Sequence, residues 1–180
     1  MNENLEPEQK YHLQKLIEHN SDIFSQHPDD YGYYKDYKHC IRVNGPPVKM
    51  GQRPQSPEVR MKLAKDIERL TRLQLIEESN SPYAAIPLYV TKHDNDAQAT
   101  GTKSEGRLVI DYTMLNTITV DDAFPAANQV ECIQELSGAK FISSFDLANG
   151  FLQLPIRPED REKTAFIANN NLYHWILLAS

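Results

Sequence analysis

The chain has 180 residues, 40% hydrophobic and 24% charged, which fits a globular chain and excludes a disordered or fibrous one. Its net charge is −6, yet residues 1–34 carry two basic and seven acidic side chains, residues 35–72 ten and four, and residues 73–180 seven and fourteen. A basic segment between acidic ones suits a protein that holds a polyanion on one surface and cations on another, although a solvated helix face gives the same count.

The start, Met1-Asn2-Glu3-Asn4, is acidic and lacks the apolar core of a signal peptide. No apolar run reaches the ~18 residues of a membrane span. An intracellular protein is therefore expected, cytoplasmic or nuclear, with no membrane partner. Residues 7–19 predict a short amphipathic helix, with Pro7 at its first position and Leu13, Leu16 and Ile17 on one stripe. Residues 26–56 are rich in Pro, Gly, Tyr and basic side chains, and read as extended chain, because Pro46, Pro47 and Pro54 prevent a helix. Ser56-Pro57 reads as an N-cap and first position. A helix over about 57–73 follows, with Leu63, Ile67 and Leu70 inward and Arg60, Lys62, Lys65, Arg69 and Arg72 mostly outward.

From Ala85 the period becomes that of strands, with candidates at 86–92, 107–112, 140–146, 152–156, 164–168 and 172–178. His93 to Gly106 is a loop or hairpin tip. Asn128–Leu136 is a second short helix, and Asn169-Asn170-Asn171 a hairpin turn. The class is α+β, with helices flanking an antiparallel sheet. Cys40 and Cys132 match no metal spacing and read as free thiols.

In Phe141-Ile-Ser-Ser-Phe-Asp146-Leu-Ala-Asn-Gly150-Phe151, a hydrophobic run ends in a carboxylate and a small-residue turn. An Asp at a strand end suits a hard cation such as Mg²⁺, though most such residues only form turns. The stretch resembles the first catalytic-Asp motif of reverse transcriptases from gypsy-type LTR retrotransposons, F-S-x-L-D-L-x-x-G-Y/F-x-Q-I/L. Further matches follow in the same order. They are His39-Cys-Ile41, Pro47-Val48 through Ser56-Pro57-Glu58, Leu75 through Ser81-Pro82-Tyr83-Ala84, Val90-Thr91-Lys92-His93-Asp94, Arg107 through Asp111-Tyr112 to Leu115-Asn116, and Lys163-Thr-Ala-Phe166 through Tyr173-His-Trp175.

The resemblance implies an RNA-directed DNA polymerase of the Pol polyprotein, with residues 1–34 as N-terminal helix and linker and 35–180 as fingers and the first half of the palm. It implies two Mg²⁺ ions, held by the Asp146 carboxylate and the Leu147 backbone carbonyl. Lys92 and Arg107 would meet the triphosphate of a deoxynucleotide, and Phe151 would be the steric gate against a 2′-hydroxyl. An RNA or DNA template–primer is the implied partner. The charge of 35–72 nominates Lys49, Arg53, Arg60 and Lys62 for its phosphates. Asp111, Tyr112, His174 and Trp175 read as structural.

The pattern departs from the family in several places. The second carboxylate motif, x-Asp-Asp, is expected beyond Ser180, and neither Asp29-Asp30 nor Asp121-Asp122 replaces it. Thr113 stands for an Arg, Ala168 for a Thr, Asn171 for a Gly, and Gln74 for a helix-ending Gly. The tip from His93 to Gly106 is long. The expectation is a fragment that does not polymerise alone and self-associates through unpaired palm edges. The alternatives are a retained nucleic-acid- or protein-binding module, or a degenerate fragment without function.

Overall fold

The computed structural model describes residues 5–27, 29–90 and 106–178. Helix α1, Pro7–His19, starts with a capping box in which the Glu6 N–H donates to Gln9 Oε1 at 3.0 Å. Its apolar stripe forms but stays uncovered: none of its residues is buried, and Leu16 is 61% exposed. Helix α2, Pro57–Arg72, is capped by Ser56 Oγ, which accepts from the Val59 N–H at 3.3 Å. Its Leu63 and Ile67 are buried.

The end of α2 is a Schellman turn. The Leu75 N–H donates to the Leu70 carbonyl and the Gln74 N–H to that of Thr71, each at 3.0 Å. Gln74 takes φ 55°, the left-handed region, without being glycine. Burial of Leu75 against the same core as Leu70 holds it there.

Strands β1 (Ile76–Glu78), β4 (Phe166–Ala168) and β5 (Asn171–Trp175) form an antiparallel sheet in the order β1-β5-β4. Strands β2 (Ile86–Val90) and β3 (Arg107–Asp111) pair antiparallel, with Ile86 opposite Asp111 and Val90 opposite Arg107. A bridge from Ala85 to Phe166 joins the two sheets. The β4–β5 turn has two residues, Asn169 and Asn170, at φ 51° and 66°. Both positive angles suit a hairpin turn of the I′ kind, which Asn tolerates. Phe166, Leu63, Ile76 and Ile156 are fully buried, and the Phe166 ring lies 5.9 Å from that of Trp175 and 6.1 Å from that of Tyr173.

Two expected strands are corrected. Residues 140–146 form no strand, and among the described residues no segment pairs with them. A ladder needs a partner to satisfy its N–H and C=O groups, and period-2 apolarity alone does not supply one. In place of a strand over 152–156, Asn149 enters the left-handed region at φ 50° and Gly150–Gln153 winds into a 3₁₀ turn. Only Pro155 and Ile156 then make single bridges. The expected strands at 164–168 and 172–178 shorten to β4 and β5, since Thr164 closes a 3₁₀ turn, Glu162–Thr164. Short helices α3 (Thr113–Ile118), α4 (Gln129–Glu135) and α5 (Pro158–Arg161), with a 3₁₀ turn at Ser21–Ile23, complete the described elements. The His93–Gly106 tip lies outside the described residues up to residue 105.

The proline-rich segment crosses the body as a strap. His39 bridges to Ile156, Val43 to Thr119 and Lys49 to Ala84. The strap is clamped at Ile41 by a buried ion pair. Asp160, 4% exposed, accepts from the Ile41 N–H at 3.1 Å, while the Lys163 ammonium bonds to Asp160 and donates to the Ile41 carbonyl at 2.7 Å. Burial pushes the Asp160 carboxyl up, but the hydrogen bonds from Lys163 and Ile41 outweigh it and leave the group below its ordinary value.

Removing one partner of such a pair strands a buried charge, at a cost of about 3–5 kcal/mol. Lys163→Met, which strands the buried carboxylate, is expected to lower urea stability by that order, Asp160→Asn by less because the Lys163 side chain is 17% exposed, and the double substitution Asp160→Asn/Lys163→Met by less than their sum. Because the folded carboxyl titrates below the unfolded one, its contribution is present above the unfolded value and is lost as pH falls through the folded value. Asp160→Asn should remove that part of the acid sensitivity. Gln74→Gly should raise stability by about 0.5–1 kcal/mol, the left-handed penalty relieved less the extra entropy of Gly.

Candidate nucleic-acid interface and carboxylate segment

Helix α2 and the strap before it display the cations. Arg60, Lys62, Lys65, Arg69 and Arg72 are all exposed on α2, while Leu63 and Ile67 face the core. The cations are not equivalent. Lys62 Nζ pairs with Glu58 one turn earlier at 3.0 Å. Arg69 bonds to Asp29 and to the Tyr31 hydroxyl, at 3.2 Å for the latter, and so ties down the segment before the strap. The Arg69 hydrogen bond also holds the Asp29 carboxyl below its ordinary value. Lys49, Arg53 and Arg60 are exposed and have no ion-pair partner among the described residues. Of the four nominated cations, three thus have no ion pair among the described residues, although Arg53 lies close enough to Asp111 to help the Thr113 hydrogen bonds hold that carboxyl below its ordinary value.

Arg107 is exposed at the start of β3, opposite Val90. Lys92, nominated beside it, lies outside the described residues. Asp146 is exposed, and around it Phe141, Ile142, Phe145 and Leu147 are 65%, 67%, 79% and 71% exposed. The carboxylate therefore sits on an apolar segment without the rigid strand that the sequence suggests. Phe151, in the 3₁₀ turn that follows, is 57% exposed, so its ring is not committed to the core.

Among the described residues, no group of three or more His, Cys, Asp or Glu side chains stands close enough to hold a metal. The donors among the described residues do not fit a two-ion centre. Cys40 is half-buried and Cys132 exposed, both free. No helix among the described residues is long and apolar enough to cross a membrane.

Asp111 accepts from the Thr113 N–H at 3.0 Å and from its hydroxyl at 2.6 Å, which starts α3. Thr113, where the motif has Arg, is thus the partner of that carboxylate. The Tyr112 hydroxyl donates to the Thr164 carbonyl at 2.8 Å, and Trp175 packs on Phe166. His174 does more than pack. Its Nε2 lies 2.9 Å from Glu77 and its Nδ1 2.8 Å from Ser79, and Glu77 also accepts from Arg161 at 3.1 Å. The His174 hydrogen bond, with Arg161 in support, holds the Glu77 carboxyl below its ordinary value.

Comparison with solved structures decides the fold. Prototype foamy virus protease-reverse transcriptase superposes on 98% of this chain with a TM-score of 0.79 at 25% identity, and the chain covers 23% of that protein. The fold is reverse-transcriptase-like. The genome polyprotein of Petunia vein clearing virus (isolate Hohn) is 34% identical over 156 residues, 87% of this chain. The enzymatic polyprotein of Cauliflower mosaic virus (strain D/H) is 30% identical over 166 residues, 91% of the chain. The retrovirus-related Pol polyprotein from transposon 297 of Drosophila melanogaster is 27% identical over 97% of it. The chain spans 6%, 24% and 16% of these three relatives. No family model matches. The mixed α+β architecture of this reverse-transcriptase-like region agrees with the fingers-and-partial-palm class expected from its motifs.

Unladdered amides exchange quickly, whereas core strands are protected. Hydrogen exchange should find the amides of 141–147 near the rate of free chain and those of Phe166–Trp175 protected. Protection of 141–147 comparable to β5 would show that the segment has a partner.

Proposed function

We propose that this chain is the fingers and first half of the palm of an RNA-directed DNA polymerase of the gypsy type, with residues 1–34 as its N-terminal extension. In this reading Asp146 is a metal-binding carboxylate of the whole enzyme, assisted by the Leu147 carbonyl. Phe151 gates the sugar, Lys92 and Arg107 meet the triphosphate, and Lys49, Arg53, Arg60 and Lys62 hold template–primer phosphates. The observation that carries it is the coincidence of two independent signals over nearly the whole chain. One is the ordered motif set from His39 to Trp175, and the other is the 98% structural coverage. Solved foamy viral protease-reverse transcriptases in complex with an RNA/DNA hybrid and with dsDNA share the fold, at TM-scores of 0.75 and 0.78, which supports a nucleic-acid partner.

Mg²⁺ is the ion this reading implies, and it would supply charge neutralisation at the reacting phosphate. One carboxylate holds Mg²⁺ weakly, because the ion gives up its water reluctantly. The 180-residue chain is therefore read as binding without polymerising. Its exposed apolar side chains, from Phe124 at 84% through Phe145 at 79%, favour self-association of the isolated chain.

The test is fluorescence anisotropy on a labelled primer–template across a salt series, beside primer extension with Mg²⁺ and deoxynucleotides. Dissociation constants of roughly 10⁻⁴–10⁻⁶ M that rise steeply with salt are expected. Arg53→Ala or Arg60→Ala should each reduce the salt slope by about one, and Lys62→Ala by less because Glu58 already neutralises it. Affinity independent of salt would sink the binding half of the proposal. Extension that Asp146→Asn abolishes would sink the reading of the isolated chain as inactive.

A further inference from the structure

A cavity of about 510 Å³ opens where the strap passes the end of α3 and the turn before α5. Backbone hydrogen bonds fix its walls to one another. The Arg157 N–H donates to the His39 carbonyl at 2.9 Å, the His39 N–H to that of Pro155 at 2.7 Å, and the Val120 N–H to that of Arg42 at 2.8 Å. Two arginines, Arg42 and Arg157, and two aspartates, Asp121 and Asp122, line it, with exposed Tyr37 and the free, half-buried Cys40. These opposite charges do not meet. Among the described residues neither arginine has an ion-pair partner, and Asp121 has none either. Asp122 is partly used, since its Oδ1 accepts from the Phe124 N–H at 3.1 Å.

We propose that this cavity binds a small zwitterion of dipeptide size that carries two carboxylates and one ammonium. One carboxylate goes to each guanidinium, and the ammonium goes to Asp121. The site shares no residue with the cation face of α2 and does not depend on the nucleic-acid reading. Hydrogen bonds between ionised groups are the strong ones, and the planar guanidinium matches a carboxylate through two parallel N–H donors. Both signs around one cavity select a ligand that carries both. A phosphodiester strand brings only negative charge, which Asp121 and Asp122 repel. A bare metal ion finds too few donors, because among the described residues no three metal-ligating side chains stand together. The volume falls within the roughly 300–1,000 Å³ of ligand pockets. The clamp at Ile41 holds the strap next to Arg42, so that wall is in place before a ligand arrives, which lowers the ordering cost of binding.

The test is alkylation of the full 180-residue chain with iodoacetamide, read by mass spectrometry at each cysteine. Cys40 lines the cavity and reports its occupancy, while the exposed Cys132 is the internal control. The dipeptide Ala-Glu, at about ten times its dissociation constant, should slow alkylation of Cys40 about tenfold and leave Cys132 unchanged. N-acetyl-Ala-Glu lacks the ammonium and Ala-Gln amide lacks both carboxylates. Each should bind about tenfold more weakly, the worth of one hydrogen bond to a charged group. Asp121→Asn and Arg157→Ala, both at exposed positions, should weaken Ala-Glu by the same factor. No protection of Cys40, or equal protection of both thiols, would overturn the site. N-acetyl-Ala-Glu binding as tightly as Ala-Glu would overturn the zwitterion, and free glutamate doing so would overturn the dipeptide size. Unchanged affinity in Asp121→Asn and Arg157→Ala would overturn the assigned contacts. A DNA duplex that protects Cys40 as well as Ala-Glu does would overturn the separation of this cavity from the phosphate-binding surface.

Discussion

The buried pair of Asp160 and Lys163 decides how the first quarter of this chain meets the last. The carboxylate is taken from water and the ammonium largely so, and that cost is offset because each also bonds to the backbone of Ile41. The same short segment holds other elements. Arg161 reaches Glu77 on β1, Thr164 Oγ accepts from the Trp175 N–H at 3.0 Å, and the Thr164 carbonyl receives the Tyr112 hydroxyl. Five residues, 160–164, thus fix the strap, β1, β5 and the entry to α3. The cavity beside Ile41 depends on that junction, because Arg42 follows Ile41 on the strap and Arg157 leads into α5.

What the sequence revealed was mostly local. Ser56-Pro57 and the spacing of Leu63 and Ile67 specify α2 within a few residues, since a cap and one apolar stripe are near-neighbour properties. Asn169-Asn170 announced a turn because few other side chains tolerate two positive φ values in succession. Gln74 shows the limit of that logic. Its side chain gives no sign of a left-handed residue, and the angle is imposed by burial of Leu75. The apolar alternation of 140–146 says which face could be covered, not that a partner is present. The ion pair was the least visible feature. Asp160 and Lys163 lie in a run of ordinary surface-type charges, and only tertiary contact buries Asp160 and half-buries Lys163.

Charge segregation in the chain becomes segregation in space, but with attrition. Of the cations concentrated in 35–72, Lys62 is spent on Glu58 and Arg69 on Asp29 and Tyr31, so counting residues overstates the field a polyanion would meet. Arg53 and Arg60, left unpaired, border a concave surface with amide side chains. Position within the fold, more than net charge, separates the cations that hold the protein together from those facing solvent.

The strap also sets an order of events during synthesis. His39 leaves the ribosome more than a hundred residues ahead of Ile156, its bridge partner, and Ile41 comparably far ahead of Asp160. At the usual pace of translation that gap is roughly 10 seconds. Throughout it, the apolar side chain of Ile41 lacks its clamp, while α2 and its cap can already form and Arg69 can already bond to Asp29 and Tyr31. Completing this junction therefore requires the return of an early segment onto a late one.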